Sequence, residues 1–367
     1  MDLSAITNST AFVNQGSPTA REKAESDAAM QDTCREIRTR VYTSYDDEEI
    51  FYRYWDPRSG NFSAIICLIH GLAEHSERYS KFASQLAEAL SVRVVACDLR
   101  GHGRTCCPVE SDEKRSQLGI LRRGDKAKME DPVTLMSRDV IGVIVHSSES
   151  VADSPIILIG HSMGSVIARA VLKNAPSEML RRIKGVILSG VPTPPSPLEV
   201  YPLILVGSIV KRTGVGGEFV RKNFITGKFD AQLRSKLRLK SVETNSFISS
   251  DPDEVRNYSS GKLTNHLVDP DILISVVKHL RALRNPAIYF EGLREFTLPF
   301  LFVSGRDDPV CLFGATSSIE AENIRSVGQS VMELYVGKAR HEFIHEAEPV
   351  RSETVAQVIF WIAKRLK

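Results

Sequence analysis

Residues 155–172 read PIILIGHSMGSVIARAVL, and this stretch decides the fold. It opens with an apolar run at 155–159, which has no polar face and therefore suits a strand buried within a parallel sheet. The turn GHSMG follows at 160–164. Residues 165–172 are predicted to continue as a helix. The stretch therefore predicts a strand, a sharp turn that exposes Ser162, and a helix.

The same alternation of strands and helices continues on both sides of this stretch. Thr39–Tyr45 and Glu49–Trp55 are predicted to pair as a hairpin through the acidic turn at 46–48. Further strands are predicted at 64–69, 92–97, 155–159, 186–189, 299–303 and 331–335, and helices at 79–90, 133–147, 165–172 and 355–362. Such alternation predicts an α/β fold with a mostly parallel central sheet and helices on both faces.

Two stretches interrupt the alternation. Residues 106–132 form a polar, charge-dense loop that is longer than most connections. Residues 192–296 separate two sheet strands by far more chain than a crossover helix needs. We therefore expect a flexible N-terminal tail at 1–35, a first core segment at 36–191, an inserted cap subdomain at 192–296 and a second core segment at 297–367.

The composition favours a globular protein and excludes several function classes. The chain has 367 residues, 42% of them hydrophobic, and a net charge of +2, so nothing in it indicates a nucleic-acid partner. No run approaches the roughly 18 apolar residues of a membrane span, and residues 1–35 lack the apolar core of a secretory signal. The six cysteines show no metal-ligand spacing. We expect no metal site and a reducing, cytoplasmic setting.

Ser162 has the sequence surroundings of a catalytic nucleophile. A serine hydroxyl is a weak nucleophile and has to be exposed on a sharp turn where a base can reach it. Gly160 and Gly164 remove the side chains that would collide with neighbouring elements in such a turn. A G-x-S-x-G pentapeptide alone is a weak signal, but between a buried strand and a helix it indicates the α/β-hydrolase fold. The alternative is a glycine-rich turn with an incidental serine.

A histidine follows the last predicted strand. In α/β-hydrolases the order along the chain is serine, acid, histidine. The strand at 331–335 runs into a polar segment that contains His341, so we predict that His341 is the general base that accepts the Ser162 proton. His345 is a competing histidine, for which an exposed position is the simpler interpretation.

Two adjacent carboxylates follow the preceding strand. The strand at 299–303 runs into Gly305 and then Asp307 and Asp308. We favour Asp308 as the acid that orients His341, because the acid usually lies three residues after the glycine of this turn. Asp307 is the alternative.

Hydrolysis of an ester also needs backbone donors for the developing oxyanion. The amide of Met163, directly after the nucleophile, is one candidate. The amide of Leu72, just past the His70-Gly71 pair that ends an earlier strand, is the other. Because both roles belong to the backbone, the side chains at these positions can change without abolishing them.

Three motifs together resemble a known family. Residues 70–79, HGLAEHSERY, are similar to the HGxxEHSxRY signature of monoacylglycerol lipases and related lysophospholipases. Residues 98–103, DLRGHG, and the GHSMG turn resemble that family in order and spacing as well. The resemblance spans roughly 40–190 and 298–365. It implies hydrolysis of a small acyl lipid ester, a monoacylglycerol or a lysophospholipid, through an acyl-enzyme intermediate and with no cofactor.

The resemblance also implies substrate-binding residues. Glu74 and Arg78 would help to bind the polar head of the substrate, and His161 is a further candidate. Glu74 could equally cap the start of a helix, and His161 could be a structural donor in its turn. Cys311 lies where relatives can carry a thiol near the site, although a buried, inert cysteine is the simpler interpretation.

The chain departs from the family pattern at one informative place. In the mammalian enzymes a second histidine follows the catalytic one by three positions. Here that position is Ile344, and His345 lies one step further. This difference leaves the head group of the substrate open.

The predicted cap carries an unusual charge pattern. Residues 201–210 are mostly apolar, and residues 201–240 contain nine basic and two acidic side chains. An apolar patch beside basic residues suits peripheral contact with an anionic membrane. The alternative is a cap whose apolar residues pack on the core beneath a solvated basic face.

Other functions on this scaffold stay open. A general carboxylesterase, an acyltransferase and an aminopeptidase would use the same three catalytic side chains, because specificity resides in the cap. A non-catalytic binding protein is a further alternative, but such proteins typically lose one of these side chains, and all three are present here.

Overall fold

The computed structural model describes residues 37–107, 117–148, 153–194, 227–293 and 295–367. The predicted tail at 1–35 lies outside the described residues. So do the apolar stretch 201–210 and the first four basic residues after it. Statements below about the chain between 192 and 296, which we call the inserted segment, concern its described part.

Within the described residues, eight strands form one sheet in the order β1-β2-β4-β3-β5-β6-β7-β8. β1 and β2 pair antiparallel, as do β2 and β4, and every other neighbouring pair is parallel. The predicted hairpin and the mostly parallel sheet are thus confirmed. The strands are β1 Arg38–Thr43, β2 Glu49–Trp55, β3 Ile65–Ile69, β4 Arg93–Cys97, β5 Ile156–His161, β6 Ile183–Ser189, β7 Pro299–Gly305 and β8 Ser330–Val336.

The described helices cover both faces of this sheet. They are α1 Ser80–Leu90, α2 Gly103–Cys106, α3 Pro132–Ser147, α4 Met163–Asn174, α5 Ser177–Arg182, α6 Gly227–Leu237, α7 Pro252–Ser260, α8 Pro270–Ala282, α9 Pro286–Tyr289, α10 Ala315–Ser326 and α11 Val350–Leu366. Within the part of the chain that is described, no helix combines the length and the apolar character needed to cross a membrane.

Alternate side chains of the central strands pack into two separate hydrophobic cores, one on each face of the sheet. All five residues of β3 are buried; Ile65, Cys67 and Ile69 belong to the core that contains α3 and α4. Ile66 and Leu68 belong to the core that contains α1 and α11. Because side chains alternate across a strand, a run that is apolar throughout can serve both layers. The sheet is therefore buried between two layers of helices.

β6 begins three residues earlier than the sequence predicts. The apolar run used for the prediction starts at Val186, because Lys184 is polar and Gly185 has no side chain. In the structure Lys184 points to solvent, and Gly185 lies against the ring of Trp361, where a Cβ would come within 2.8 Å of a ring carbon. The packing of α11 thus explains why position 185 is a glycine, and this glycine is the reason that the apolar pattern starts later than the strand.

The described parts of the polar stretch 106–132 contain some regular structure. Its first residue ends α2, a 3₁₀ turn covers Asp125–Ala127, and α3 begins at Pro132. The amide of Gly119 donates to Gly101 in the turn after β4, and the carbonyl of Gly119 accepts from Asp269 of the inserted segment. The described part of this loop therefore joins the core to the inserted segment.

The inserted segment contacts the loops at the carboxyl edge of the sheet. The amide of Asn265 donates to the carbonyl of Ala73 at 2.8 Å, in the loop after β3. The amide of His341, in the loop after β8, donates to the carbonyl of Phe247 at 3.1 Å. The inserted segment is thus connected by backbone hydrogen bonds to both sides of the predicted site.

A buried ion pair fixes α4 against α10. Arg169 Nη1 donates to Glu320 Oε2 at 2.9 Å, and both side chains are almost completely buried. Arg169 Nε also donates to the carbonyl of Ser165, one turn back. Because a buried charge without a partner is strongly unfavourable, each member of this pair depends on the other.

Arg169→Met is expected to lower the free energy of unfolding by about 3–5 kcal/mol, because it leaves the Glu320 carboxylate buried without its partner. The double variant Arg169→Met/Glu320→Leu, which replaces both charges by apolar groups, should regain most of this loss. Urea unfolding of the three proteins measures the difference. Equal destabilisation of the single and double variants would contradict the argument.

Candidate active site

Ser162 lies on a strained turn between β5 and α4. Its backbone has φ 51° and ψ −119°, in the left-handed half of conformational space that disfavours residues other than glycine. The Ser162 amide donates to the carbonyl of Ser189 at 2.8 Å, and its carbonyl accepts from Ser165. These bonds fix the strained backbone and leave the serine side chain partly exposed at the carboxyl edge of the sheet.

The two glycines of the turn allow the close approach of three chain segments. A Cβ at Gly160 would lie 2.4 Å from the carbonyl oxygen of Gly164. A Cβ at Gly164 would lie 2.1 Å from the carbonyl oxygen of Ile69, at the end of β3. Both distances are far shorter than van der Waals contact, so this turn requires glycine at both positions.

Asp308 contacts His341 across two loops. Asp308 Oδ2 accepts a hydrogen bond from His341 Nδ1 at 3.0 Å, and Asp308 Oδ1 accepts from the amide of Val310 at 2.8 Å. The carboxylate is fully buried. Asp307 is half-buried, and its amide donates to the carbonyl of Ala339. The structure thus brings Asp308, the favoured of the two acids, to the imidazole.

The Asp308–His341 pair faces the turn that carries Ser162. The ring of His341 lies 4.6 Å, between centroids, from that of His161, the residue before the serine. A Cβ at Gly71 would meet both Ser162 Cβ, at 3.2 Å, and the His161 ring, at 3.3 Å. Within the described residues no hydrogen bond joins Ser162 Oγ to His341, and in unliganded hydrolases this bond is often long and shortens with substrate.

Burial and charge move the pKa values of the two neighbouring imidazoles in opposite directions. For His341, burial is the largest effect and lowers the pKa, but the charge and hydrogen bond of Asp308, with the charges of Glu342 and Glu74, outweigh it, and the pKa is raised. For His161, burial and then the charge of His341 hold the pKa well below its usual value. The opposite shifts make His341 the stronger base of the two imidazoles.

The backbone amides of Leu72 and Met163 have no acceptor within the described residues. The loop that carries Leu72 is fixed on both sides. Glu74 Oε1 accepts from the amide of Gly71 at 2.6 Å, and Ala73, which has φ 55°, accepts from Asn265. Unpaired donors on a fixed turn near Ser162 agree with the predicted oxyanion hole, which stays a prediction.

Arg78 lies between two buried carboxylates. Arg78 Nη1 donates to Glu74 Oε2 at 2.7 Å, and the guanidinium also donates to both oxygens of Glu342, at 2.9 and 2.6 Å. Tyr79 adds a hydrogen bond from its hydroxyl to Glu74 at 2.9 Å. Burial alone would lower the pKa of Arg78, but the charges of Glu342 and Glu74 raise it well above its usual value.

Comparison with known proteins places this geometry in a family. The profile of the family Hydrolase_4, described as "Serine aminopeptidase, S33", matches residues 60–348. The chain belongs to this family. The match covers the loops that carry Ser162, Asp308 and His341.

Two relatives of similar length show what the hydrolase resembles. It is 26% identical over 323 residues to the monoglyceride lipase of Mus musculus, which covers 88% of this chain and 89% of that protein. It is 24% identical over 333 residues to the monoglyceride lipase homolog of Monkeypox virus, covering 90% of this chain and 100% of that protein. The predicted resemblance to monoacylglycerol lipases is thus confirmed.

Solved structures show the same fold. A thermostable carboxyl esterase from Bacillus coagulans, in complex with glycerol, matches with a TM-score of 0.70 at 22% identity, covering 91% of this chain and 100% of that one. A soluble variant of the monoglyceride lipase from Saccharomyces cerevisiae, with a substrate analog, matches with a TM-score of 0.62 at 16% identity, covering 90% of this chain and 95% of that one. The protein is a serine hydrolase of the α/β-hydrolase fold.

Glu74 and Arg78 have partners within the protein. Glu74 does not cap a helix, because the residue before the next helical turn is His75, which makes no side-chain capping bond. The Glu74 oxygens instead accept hydrogen bonds from the Gly71 amide, the Arg78 guanidinium and the Tyr79 hydroxyl. The contact of Glu74, Arg78 and His161 with substrate stays a prediction. Glu342 is not among the predicted site residues, although an acid next to a predicted catalytic histidine is a visible signal in the sequence.

The expectation of an exposed His345 is wrong. The side chain is buried against Arg78 and Glu342, with Arg78 Nη2 at 3.4 Å. Burial, with the charge of Arg78, lowers the pKa of His345 to about 3, so the ring is neutral. Cys311 is buried, as in the simpler interpretation, and burial raises the pKa of its thiol.

One group of side chains in the described residues has the spacing of a metal site. Ligand atoms of Glu74, His161 and Glu342 lie within 4.8 Å of one another. The guanidinium of Arg78 already bonds to both carboxylates and supplies the cluster with a positive charge. The donor set therefore fits an internal ion-pair network better than a metal centre.

Proposed function

We propose that the hydrolase cleaves a carboxylic ester of a small acyl lipid, a monoacylglycerol or a lysophospholipid, with Ser162, His341 and Asp308 as its catalytic triad. The single observation that carries the proposal is the 3.0 Å bond between Asp308 and His341 beside the turn of Ser162. The names of the relatives, monoglyceride lipases in mouse and virus, support the substrate class.

In the proposed mechanism His341 accepts the proton of Ser162 Oγ as this oxygen attacks the ester carbonyl. The amides of Leu72 and Met163 donate to the resulting oxyanion. As the carbon–oxygen bond of the ester breaks, His341 protonates the leaving alcohol, and the acyl group stays on Ser162. His341 then takes a proton from water, which attacks the acyl carbon. As the bond between that carbon and Ser162 Oγ breaks, His341 returns the proton to Oγ and the fatty acid is released. Asp308 orients the imidazole and stabilises its charged form throughout.

We further propose that residues 192–296 form a cap that receives the acyl chain. The hydrogen bonds from Asn265 to Ala73 and from His341 to Phe247 support a position over the site. Because specificity on this scaffold depends on the cap, a general carboxylesterase or an acyltransferase is consistent with the same triad. The family description gives an aminopeptidase as the second candidate.

We propose a reducing cytoplasm and an anionic membrane surface as the surroundings of the enzyme. The cysteines of the described residues are free and buried, which is usual for a reducing compartment. The described half of the basic stretch lies in and after α6, where Arg234, Lys236, Arg238 and Lys240 are all exposed. Exposed cations next to Leu239, which is 44% exposed, suit an anionic lipid surface.

Ser162→Ala is expected to abolish covalent labelling by a fluorophosphonate probe and to lower kcat for 1-monooleoylglycerol by at least about 10⁴-fold, because the attacking oxygen is removed. Ser177→Ala, which changes an exposed serine at the start of α5, is the matched control. Probe fluorescence on a gel and fatty-acid release measure the two effects. Unchanged labelling of Ser162→Ala would refute the assignment of the nucleophile.

Asp308→Asn is expected to reduce kcat by about 10⁴-fold, because the neutral amide stabilises neither the tautomer nor the charge of His341. Asp307→Asn should change kcat by less than about threefold, since Asp307 has no contact with the imidazole. Steady-state hydrolysis by both variants gives the comparison. A larger effect at position 307 than at 308 would reverse the choice of acid.

The protein is expected to float with vesicles that contain 30% phosphatidylserine and much less with neutral phosphatidylcholine vesicles. Each basic side chain near an anionic surface contributes about 1 kcal/mol, and salt weakens the attraction. Replacing Arg234, Lys236, Arg238 and Lys240 with glutamine should reduce binding to anionic vesicles at least tenfold. Equal binding of the wild type to both vesicle types would remove the electrostatic explanation.

A further inference from the structure

Glu342 lies one residue after His341 and contacts Arg78 through both of its oxygens. The two bonds, from Nη1 at 2.9 Å and from Nη2 at 2.6 Å, form a parallel fork. The backbone amide of Glu342 donates to the carbonyl of Ile248 at 2.9 Å, and its side chain is only 5% exposed. The carboxylate is thus fixed in position and orientation beside the proposed base.

The carboxylates of Glu74 and Glu342 share the guanidinium of Arg78, and we call these three side chains the corner of the site. Arg78 donates to Glu74 as well as to Glu342, so two negative charges face one positive charge. Burial holds the pKa of His161 well below its usual value and that of His345 at about 3. Neither imidazole therefore contributes a positive charge at neutral pH, and one negative charge is in excess.

The proposed mechanism puts the leaving alcohol beside this corner. His341 protonates the departing oxygen in the proposed mechanism, so the alcohol has to lie against that ring. The His161 ring is 4.6 Å from the His341 ring, and Glu74, His161 and Glu342 present atoms within 4.8 Å of one another. The leaving alcohol is therefore next to the excess negative charge.

The cations at the outer edge of the corner do not remove this excess. Arg78 also lines a cavity of about 270 Å³ together with Lys81, Glu254 and Arg351. Arg351 donates to Glu348 at 2.9 Å, and Glu254 adds a further carboxylate to the cavity wall. The cavity thus has mixed charge, while the inner corner is acidic.

We propose that Glu342 selects the alcohol half of the substrate: it makes the leaving-group wall acidic, so that esters of an uncharged alcohol are cleaved in preference to esters whose alcohol carries a phosphate. This inference rests on the proposed ester hydrolysis at Ser162. A phosphate beside Glu74 and Glu342 meets repulsion in a buried setting, where charges interact more strongly than in water. Without the Glu342 charge, Arg78 has one carboxylate partner and can accept a phosphate.

The test compares two soluble esters of one acyl chain, 1-octanoylglycerol and 1-octanoylglycerol 3-phosphate, below their critical micelle concentrations. For the wild type, kcat/KM is expected to be at least about tenfold higher for the uncharged ester. In Glu342→Gln this preference should fall at least about tenfold. Glu353→Gln, which removes an exposed carboxylate on α11, is the matched control and should keep the wild-type preference.

The pH profile gives a second readout, which a merely structural role would not move. The titratable groups that face the His341 ring are Asp308 after β7, Glu74 after β3, His161 at the end of β5 and Glu342. Loss of a negative charge destabilises the imidazolium and lowers its pKa. Since the deprotonated ring is the base, the acid limb of kcat/KM for p-nitrophenyl acetate should move to lower pH in Glu342→Gln and stay in place in Glu353→Gln.

Equal kcat/KM of the wild type for the two octanoyl esters would overturn the proposal, and this measurement needs no variant. A folded Glu342→Gln protein, checked by its melting curve, that keeps the wild-type preference would overturn it too. Hydrolysis of neither ester, together with absence of fluorophosphonate labelling at Ser162, would instead refute the ester-hydrolase function itself.

Discussion

The approach of helix α4 to the end of strand β3 constrains the whole carboxyl edge of the sheet. At Gly164 the two backbones are so close that a Cβ would lie 2.1 Å from the carbonyl oxygen of Ile69. The chain therefore passes from β5 to α4 through a single residue, Ser162, whose backbone has an unfavourable φ of 51°. Close packing on all sides and the bond to Ser189 stabilise a conformation that would otherwise be unfavourable. The packing of the fold, rather than the intrinsic backbone preference of serine, therefore sets the conformation of Ser162.

Around this turn the site consists of buried charges that are each paired. Asp308 is bonded to an amide and to His341, and Arg78 is bonded to Glu74 and Glu342. Because a buried ion without a partner is strongly unfavourable, such pairs hold their loops in fixed relative positions. The same pairs decide the protonation of the site, since they raise the pKa of one imidazole while burial depresses that of its neighbour.

Local patterns carried most of the fold prediction. Continuous apolar runs such as Ile65–Ile69 indicated strands that are buried on both faces, and each of the eight predicted strands is present within three residues of its predicted ends. The sequence does not indicate the start of β6, because Gly185 is required by its contact with the ring of Trp361, which is remote in sequence. The sequence favours an exposed His345, because no residue near it in the chain indicates the contact with Arg78, whose Nη2 lies 3.4 Å from His345 Nδ1.

By itself the sequence determined the alternation of strands and helices, the turn at Ser162 and the loops that carry His341 and two candidate acids. These features depend on residues that are close together in the chain. Only the tertiary structure decided that Asp308 contacts the imidazole, and that Glu342 pairs with Arg78 across 264 positions. The physical reason is that the partner of a buried charge is set by the order of strands in the sheet, which no local pattern records.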